Sequence, residues 1–257
     1  MKPSRRETKK RKSIGDKYIS GRGFEIGAGE APAEYDGIEH VTYIDKRSQL
    51  WLEEKMGKLP YQVTPWGTAL QMDRGDFFIA HHVIEHQPDP VGEFGKWLGL
   101  LRDGGRFFIS LPSPNNVCEK DRLPTPIEHI LDDYVFNQEY ESRQHAASSS
   151  SQRFVSDGDR SRYAQYSGRE FAAKLLEEMK QEDLDCHFHT FSLEVIMQTI
   201  EVACYFLDLG ITWLYTEESE TALYLVGEVN SSGCKPDFLW DYEQRLEVGM
   251  LVIRGGK

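Results

Sequence analysis

Eight histidines occur along the 257 residues, and most fall in three places where proton transfer or ligand binding is within reach. His81, His82 and His86 follow a short apolar run that ends at Ala80. His129 and Asp133 are four apart in a stretch of helical pattern, so they share a face and the acid can orient the ring. His187 and His189 alternate in "CHFHTF" and point the same way if that piece is extended. An imidazole with an unperturbed pKa of about 6.5 is neutral yet basic near pH 7, which makes it the usual general base for taking a proton from a hydroxyl. On this reading His129 is the base, oriented by Asp133, with His86 second and His189 as a substrate contact. Duller roles stand beside these. Glu85 and His86 could hold loops together, His129 and Asp133 could be a surface pair, and His187 and His189 could be one structural ring and one exposed neighbour. His129, Asp133, His187 and His189 would also suit a divalent metal. The spacing does not demand one, and no metal is assigned.

A second chemistry lies upstream. "FEIGAGE" (24–30) is an apolar run that breaks into Gly27, Ala28 and Gly29. A strand ending in Gly-x-Gly can turn sharply and present bare backbone to a ligand. A phosphate is a poor fit, because no Gly-Lys-Ser/Thr follows and Pro32 stands where a dinucleotide loop has its third glycine. Glu25, two residues before Gly27, would repel a pyrophosphate but suits a ligand with an ammonium group, such as S-adenosylmethionine. About one βαβ step later, "VTYIDKR" ends in Asp45, placed to accept hydrogen bonds from ribose hydroxyls. Asp45 could instead be a helix cap or a surface acid.

These residues need a sheet to hold them. Short apolar runs alternate with helical patterns through the first half, which predicts a parallel sheet with helices on both faces. Strands are expected at Gly23–Ile26, Val41–Asp45, Tyr61–Thr64, Asp76–Ala80 and Arg106–Leu111. Between the last two, Pro90 starts a helix with the apolar stripe Val91, Phe94, Trp97, Leu98 and Leu101, and Asp103-Gly104-Gly105 ends it. After Leu111 prolines mark a winding passage, then Ile127–Tyr134 looks helical. Residues 137–168 are polar and too long for an ordinary connection, so they read as a lid or a partly disordered insertion. Helical pattern returns at Arg169–Met179 and Ser192–Leu207. The runs Ile211–Tyr215 and Thr221–Val229 read as a closing antiparallel pair.

Composition narrows the class further. A net charge of −12 argues against a general nucleic-acid or membrane-surface binder. Residues 2–17 nevertheless carry eight Lys and Arg. That basic N-terminal segment (1–19) reads as a solvated, partly frayed stretch or as an electrostatic clamp for an anionic substrate. Four scattered cysteines without a Cys-x-x-Cys pair fit a reducing compartment. No signal-peptide pattern and no run of the ~20 apolar residues of a membrane span are present, so a cytoplasmic protein is expected.

Taken together, "FEIGAGE", "VTYIDKR" and "DFFIAHHVIEHQPDPVGEFGKWLGLLRDGGRFFISLP" resemble class I S-adenosylmethionine-dependent methyltransferases in order and spacing, over roughly residues 20–112. "LPTPIEHILDDY" and "HFHTFSLEVI" look like a bacterial subgroup associated with sugar or surface-polysaccharide genes. The resemblance implies a doubly wound, mostly parallel seven-stranded sheet (20–229), a helical substrate-pocket or lid insertion at 113–188 after the fifth strand, and a tail at 230–257. It implies that Glu25, Gly27, Ala28 and Gly29 line the methionine part of S-adenosylmethionine, that Asp45 with Lys46 meets the ribose, and that Ala80 and His81 pass beside the sulfonium. One departure is plain. The loop after the third strand usually offers an acid to the adenine, whereas "VTPWGTALQMD" offers Thr64, Pro65 and Trp66. Within the insertion, Tyr134, Tyr140, Arg143, Arg153, Tyr163 and Arg169 suit a hydroxyl-rich acceptor.

The expected activity is therefore O-methylation of a sugar or glycosylated small molecule, releasing S-adenosylhomocysteine, with no nucleic-acid partner and a homodimer open. The rivals are a methyltransferase acting on an amine or carboxylate of a natural product, a non-catalytic binding protein that keeps the fold, and an NAD oxidoreductase.

Overall fold

In a computed structural model, residues 4–116, 119, 122–136, 187–231, 233, 236 and 238–239 are described. Seven strands form one sheet: β1 (Gly21–Ile26), β2 (Ile38–Asp45), β3 (Val63–Pro65), β4 (Gly75–His81), β5 (Leu101–Pro112), β6 (Gly210–Glu218) and β7 (Ala222–Asn230). Their order is β3-β2-β1-β4-β5-β7-β6. The first five run parallel, and β7 is antiparallel to both β5 and β6. This is the doubly wound, mostly parallel seven-stranded arrangement expected.

Alternation along β4 shows why the sheet has two covered faces. Phe77 and Ile79 face one side, Phe78 and Ala80 the other, and all four are buried. On the Phe78 side lie α4 (Pro90–Leu98), α5 (Ile127–Phe136) and α6 (Leu193–Tyr205). Asp89 caps α4 by accepting from the Gly92 N–H, and Pro90 opens it, as the sequence predicts. Phe78 packs against Phe94, Trp97 and Phe107 at ring-centroid distances of 5.6, 6.0 and 5.6 Å. Asp103-Gly104-Gly105, expected as a helix stop, lies inside β5. Leu101 pairs with Gly75 and Arg106 with Phe77, so the residues between bulge out of the ladder, with Gly104 at φ 71°.

The other face departs from expectation. No helix follows the glycine loop: residues 27–37 run from β1 straight back to β2 as an irregular connection. The face is covered instead by the N-terminal segment, which is a helix, α1 (Arg5–Tyr18), and not a solvated stretch. Ser4 caps it, and Ile14, Ile19 and Tyr35 join Phe77, Ile79, Phe108, Tyr224 and Val226 in a buried cluster. Three of its cations pair with the chain's own acids: Lys10 with Glu217, Arg11 with Glu7, and Lys12 with Asp16 and Asp36. Those charges are committed internally, which weakens the clamp reading.

The crossover from β2 to β3 carries α2 (Gln49–Met56), and a single turn, α3 (Trp66–Ala69), follows β3. Trp66 is half-buried against the main core. Among the described residues no helix is long and apolar enough to cross a membrane. The expected helix at 169–179, all of the 137–168 insertion with Tyr140, Arg143, His145, Arg153 and Tyr163, and most of the 230–257 tail lie outside the described residues.

Candidate active site

Register sets the site. Ile26 pairs with Ile44 on one side and with Ala80 on the other. The next residues, Gly27, Asp45 and His81, therefore stand abreast at the carboxyl edge of the parallel strands, where open α/β sheets bind ligands. Gly27 and Gly29 have φ of 64° and 56°, a region that glycine enters without penalty. A Cβ on Gly27 would also lie 2.8 Å from Val83 Cγ2, so both conformation and space demand glycine there. Tyr61 donates its hydroxyl to the Gly29 carbonyl at 2.6 Å and stacks on Tyr43 at 4.1 Å, fixing the loop's outer end.

Glu25 lies beneath this loop, 2% exposed. Both carboxylate oxygens accept from the Ala33 N–H, at 3.0 and 2.9 Å, so the acid braces the returning arm of the loop. Burial pushes its pKa up to about 7, against the Ala33 hydrogen bond and the charge of Arg11. A cation above the loop would favour the carboxylate. A phosphate would not, and without a helix behind the loop no helix N-terminus is there to hold an anion. Asp45 accepts from the Arg47 N–H at 2.9 Å, and burial raises its pKa as well. The residues present fit a cofactor that is cationic at one end and carries a diol at the other.

His81 is locked. Its Nε2 is 2.8 Å from the Tyr35 hydroxyl and its Nδ1 is 2.9 Å from Ser110 Oγ. Burial holds its pKa well below the ordinary value, so the ring is neutral. His82, at φ 56°, reaches the carboxylates of Glu7 on α1 (2.8 Å) and Glu85 (3.1 Å). Burial works against its charge, but the bonds to Glu7 and Glu85 outweigh it and raise its pKa. A carboxylate only accepts, so a ring held by two of them is an imidazolium.

The remaining histidines separate into two groups, and this corrects the expectation that His187 and His189 share a direction. His189 turns to α5, where its Nε2 is 2.9 Å from Asp133 Oδ2 and that of His129 is 3.3 Å from the same oxygen. His129 and Asp133 are therefore an acid–histidine pair, as their spacing predicts, and His189 is a second ring on the same acid. His187 turns instead to Glu119 and stands edge to face with His86, centroids 4.6 Å apart. Glu85 does hold loops together, accepting from His82 and, through its backbone carbonyl, from the Phe188 N–H. Tyr134 stacks on Phe206 at 4.9 Å rather than on the histidines. Sequence reasoning missed Glu7, Tyr35, Ser110, Glu119 and Arg122. Only the last two left a signal, an acid and an arginine three apart.

No family model matches the chain, and no curated protein matches it. Solved structures do. A protein of Listeria monocytogenes assigned to the S-adenosylmethionine-dependent methyltransferases is 14% identical, with 87% of this chain and 96% of that one covered and a TM-score of 0.46. The 1,6-didemethyltoxoflavin-N1-methyltransferase of Burkholderia thailandensis is 12% identical over 88% and 77%, at a TM-score of 0.45. An S-adenosylmethionine-dependent methyltransferase of Mesorhizobium loti is 12% identical over 82% and 92%, at 0.42. At these values the likeness adds no argument, and the architecture rests on the chain's own sheet, ordered β3-β2-β1-β4-β5-β7-β6 with β7 antiparallel.

Proposed function

We propose that this protein transfers a methyl group from S-adenosylmethionine to a hydroxyl of a small polar acceptor, most simply a sugar or glycosylated molecule. The observation that carries the reading is the row Gly27, Asp45 and His81 at the carboxyl edge, beneath a loop that only glycine permits and above a buried acid titrating near neutrality. When bound, the cofactor supplies an electrophilic methyl whose leaving group is a neutral thioether. Glu25 balances the cofactor's ammonium group, the backbone of Gly27, Ala28 and Gly29 lies against its methionine arm, and Asp45 with Lys46 takes the ribose. Ala80 and the neutral His81 wall the reacting end without adding charge.

His129 is assigned as the base. Asp133 Oδ2 lies 3.3 Å from its Nε2, which favours the tautomer whose basic nitrogen is Nδ1, and the acceptor's proton moves there as its oxygen attacks. His189, on the same acid, borders the acceptor.

Calorimetry with S-adenosylhomocysteine tests the first half. Wild type binds it and Gly27→Trp does not; equal binding by both ends the reading. Labelled-methyl transfer to a panel of sugars and sugar nucleotides tests the second half. His129→Ala loses about 10²–10⁴-fold in turnover while keeping its affinity for S-adenosylhomocysteine. Full turnover in that variant removes the base from His129.

A further inference from the structure

Among the described residues two groups of three could hold a metal ion: Glu85, His86 and His187, and His129, Asp133 and His189. Their hydrogen bonds separate them. In the second group one oxygen of Asp133 already faces the Nε2 atoms of both rings. Those nitrogens carry protons toward the acid and are not offering lone pairs. The shared oxygen of that group is already engaged, and its one buried atom without a hydrogen-bond partner is a ring nitrogen, Nδ1 of His189, not a carboxylate oxygen.

In the first group the bonds of His187 and of Glu85 Oε1 run outward. His187 Nδ1 meets the carboxylate of Glu119, so Nδ1 carries the proton and Nε2 keeps its lone pair, and a nitrogen of this ring lies within 4.8 Å of the ligand atoms of Glu85 and His86. Glu119 is itself buried and fixed by Arg122 (2.9 Å) and by the Thr190 hydroxyl. This is a carboxylate–histidine arrangement of the kind that orients a metal ligand from behind. Glu85 is 1% exposed; its Oε1 is bonded to His82, while Oε2 is buried with no hydrogen-bond partner. A buried carboxylate oxygen without a donor is costly to keep. A carboxylate with an unpartnered oxygen, its ligand atom within 4.8 Å of a ring nitrogen of both His86 and His187, has the chemistry of a cation site.

We propose that Glu85, His86 and His187 bind a divalent transition-metal ion of the zinc type, with Glu119 and His82 holding the ligands in place. Two nitrogens and one carboxylate suit such an ion. The three ligand atoms lie within 4.8 Å of one another. Tetrahedral zinc with bonds of about 2.0–2.1 Å places its donors about 3.3 Å apart, so the two rings must tilt inward as the ion enters. Three protein ligands leave a fourth position for water or an acceptor oxygen, the layout of a catalytic rather than a closed site. Val83, two residues before Glu85, touches Gly27, so the ion would lie beside the glycine loop.

The test titrates metal-free protein with Co²⁺ and reads the visible d–d bands of a tetrahedral site, with Zn²⁺ as competitor. Stoichiometric bands that Zn²⁺ abolishes are expected. Affinity falls at least ~100-fold in His187→Ala and in Glu85→Gln, and about 10–100-fold in Glu119→Gln, which removes only the group behind the ligand. Cobalt affinity in His129→Ala stays at the wild-type value. Glu85→Gln keeps the side chain's size and is checked by circular dichroism, so a folding failure of His187→Ala does not decide the matter. Absence of stoichiometric bands overturns the proposal. So does unchanged affinity in Glu85→Gln, or loss of the bands in His129→Ala. Because the readout is cobalt binding, failure here leaves the methyl-transfer reading to its own test with S-adenosylhomocysteine.

Discussion

Glu25 shows how one residue ties ligand binding to pH. Its carboxyl is buried under the glycine loop and titrates at about 7, above the ordinary 4.5. A raised acid favours the folded state fully below its unfolded pKa, and that advantage is lost as pH rises through the folded value. Ionising Glu25 in the free protein therefore costs about 3 kcal/mol by pH 8, taking 1.36 kcal/mol per unit. Glu25→Gln keeps an acceptor for the Ala33 N–H and removes the ionisation. It is expected to melt higher than wild type at pH 8 and close to it at pH 5. A bound ammonium reverses the preference, so wild-type affinity for S-adenosylhomocysteine should climb as pH rises through 7, and Glu25→Gln should lose that climb. Equal melting profiles for the two proteins would show that Glu25 is not held in a desolvated state. At this scale the sequence was partly legible. The places of Glu25, Gly27 and Asp45 at the strand ends could be read because apolar runs and glycine spacing set them locally. Glu119 and Tyr35 could not, since their partners His187 and His81 are distant in the chain.

Elements were legible where pattern and burial agree. The stripe of α4 as far as Leu98 and the apolar runs of β4 and β5 fall within the observed elements, because these pieces lie in the core and their periodicity is the imprint of that burial, whereas Leu101 and Asp103-Gly104-Gly105 belong to β5. α1 carries mostly charge and buries a narrow strip around Arg11, Ile14 and Gly15, so its pattern resembles a solvated tail. Gly15 gives the packing away. A Cβ there would lie 2.4 Å from the ring of Tyr35, which belongs to the irregular connection after the glycine loop. Helix propensity alone makes Gly15→Ala stabilising by about 1 kcal/mol. Overpacking against the ring costs ~1–3 kcal/mol and should win, because Tyr35 is pinned at its far end by His81. Urea denaturation decides between the two signs: Gly15→Ala is expected to unfold at lower urea, and a stabilised variant would mean that Tyr35 does not lie across the helix.

At the scale of the molecule the question is what α1 is for in a chain of net charge −12. Its ion pairs are an incomplete answer. Lys10–Glu217 and Lys12–Asp36 are well exposed, and such pairs contribute about 0–1 kcal/mol each. Apolar burial is the larger part, since α1 and Tyr35 cover Phe77, Ile79, Phe108, Tyr224 and Val226, residues from three strands, β4, β5 and the antiparallel β7. Burying a side chain of that size stabilises by about 1.5–3 kcal/mol, and several are covered at once. No crossover helix follows β1, so among the described residues α1 and Tyr35 are what covers them. Removing residues 1–18 should therefore abolish cooperative thermal unfolding and leave a protein that binds hydrophobic dye and aggregates. A solvated basic tail predicts the opposite: an unchanged melting curve, and at most a change in affinity for anions that added salt would erase. Full-length protein in high salt distinguishes the forces, because screening weakens the ion pairs but not the apolar contacts. α1 should stay protected from hydrogen exchange in 1 M salt, where the screening length is about 3 Å. Loss of that protection would assign the docking of α1 to charge.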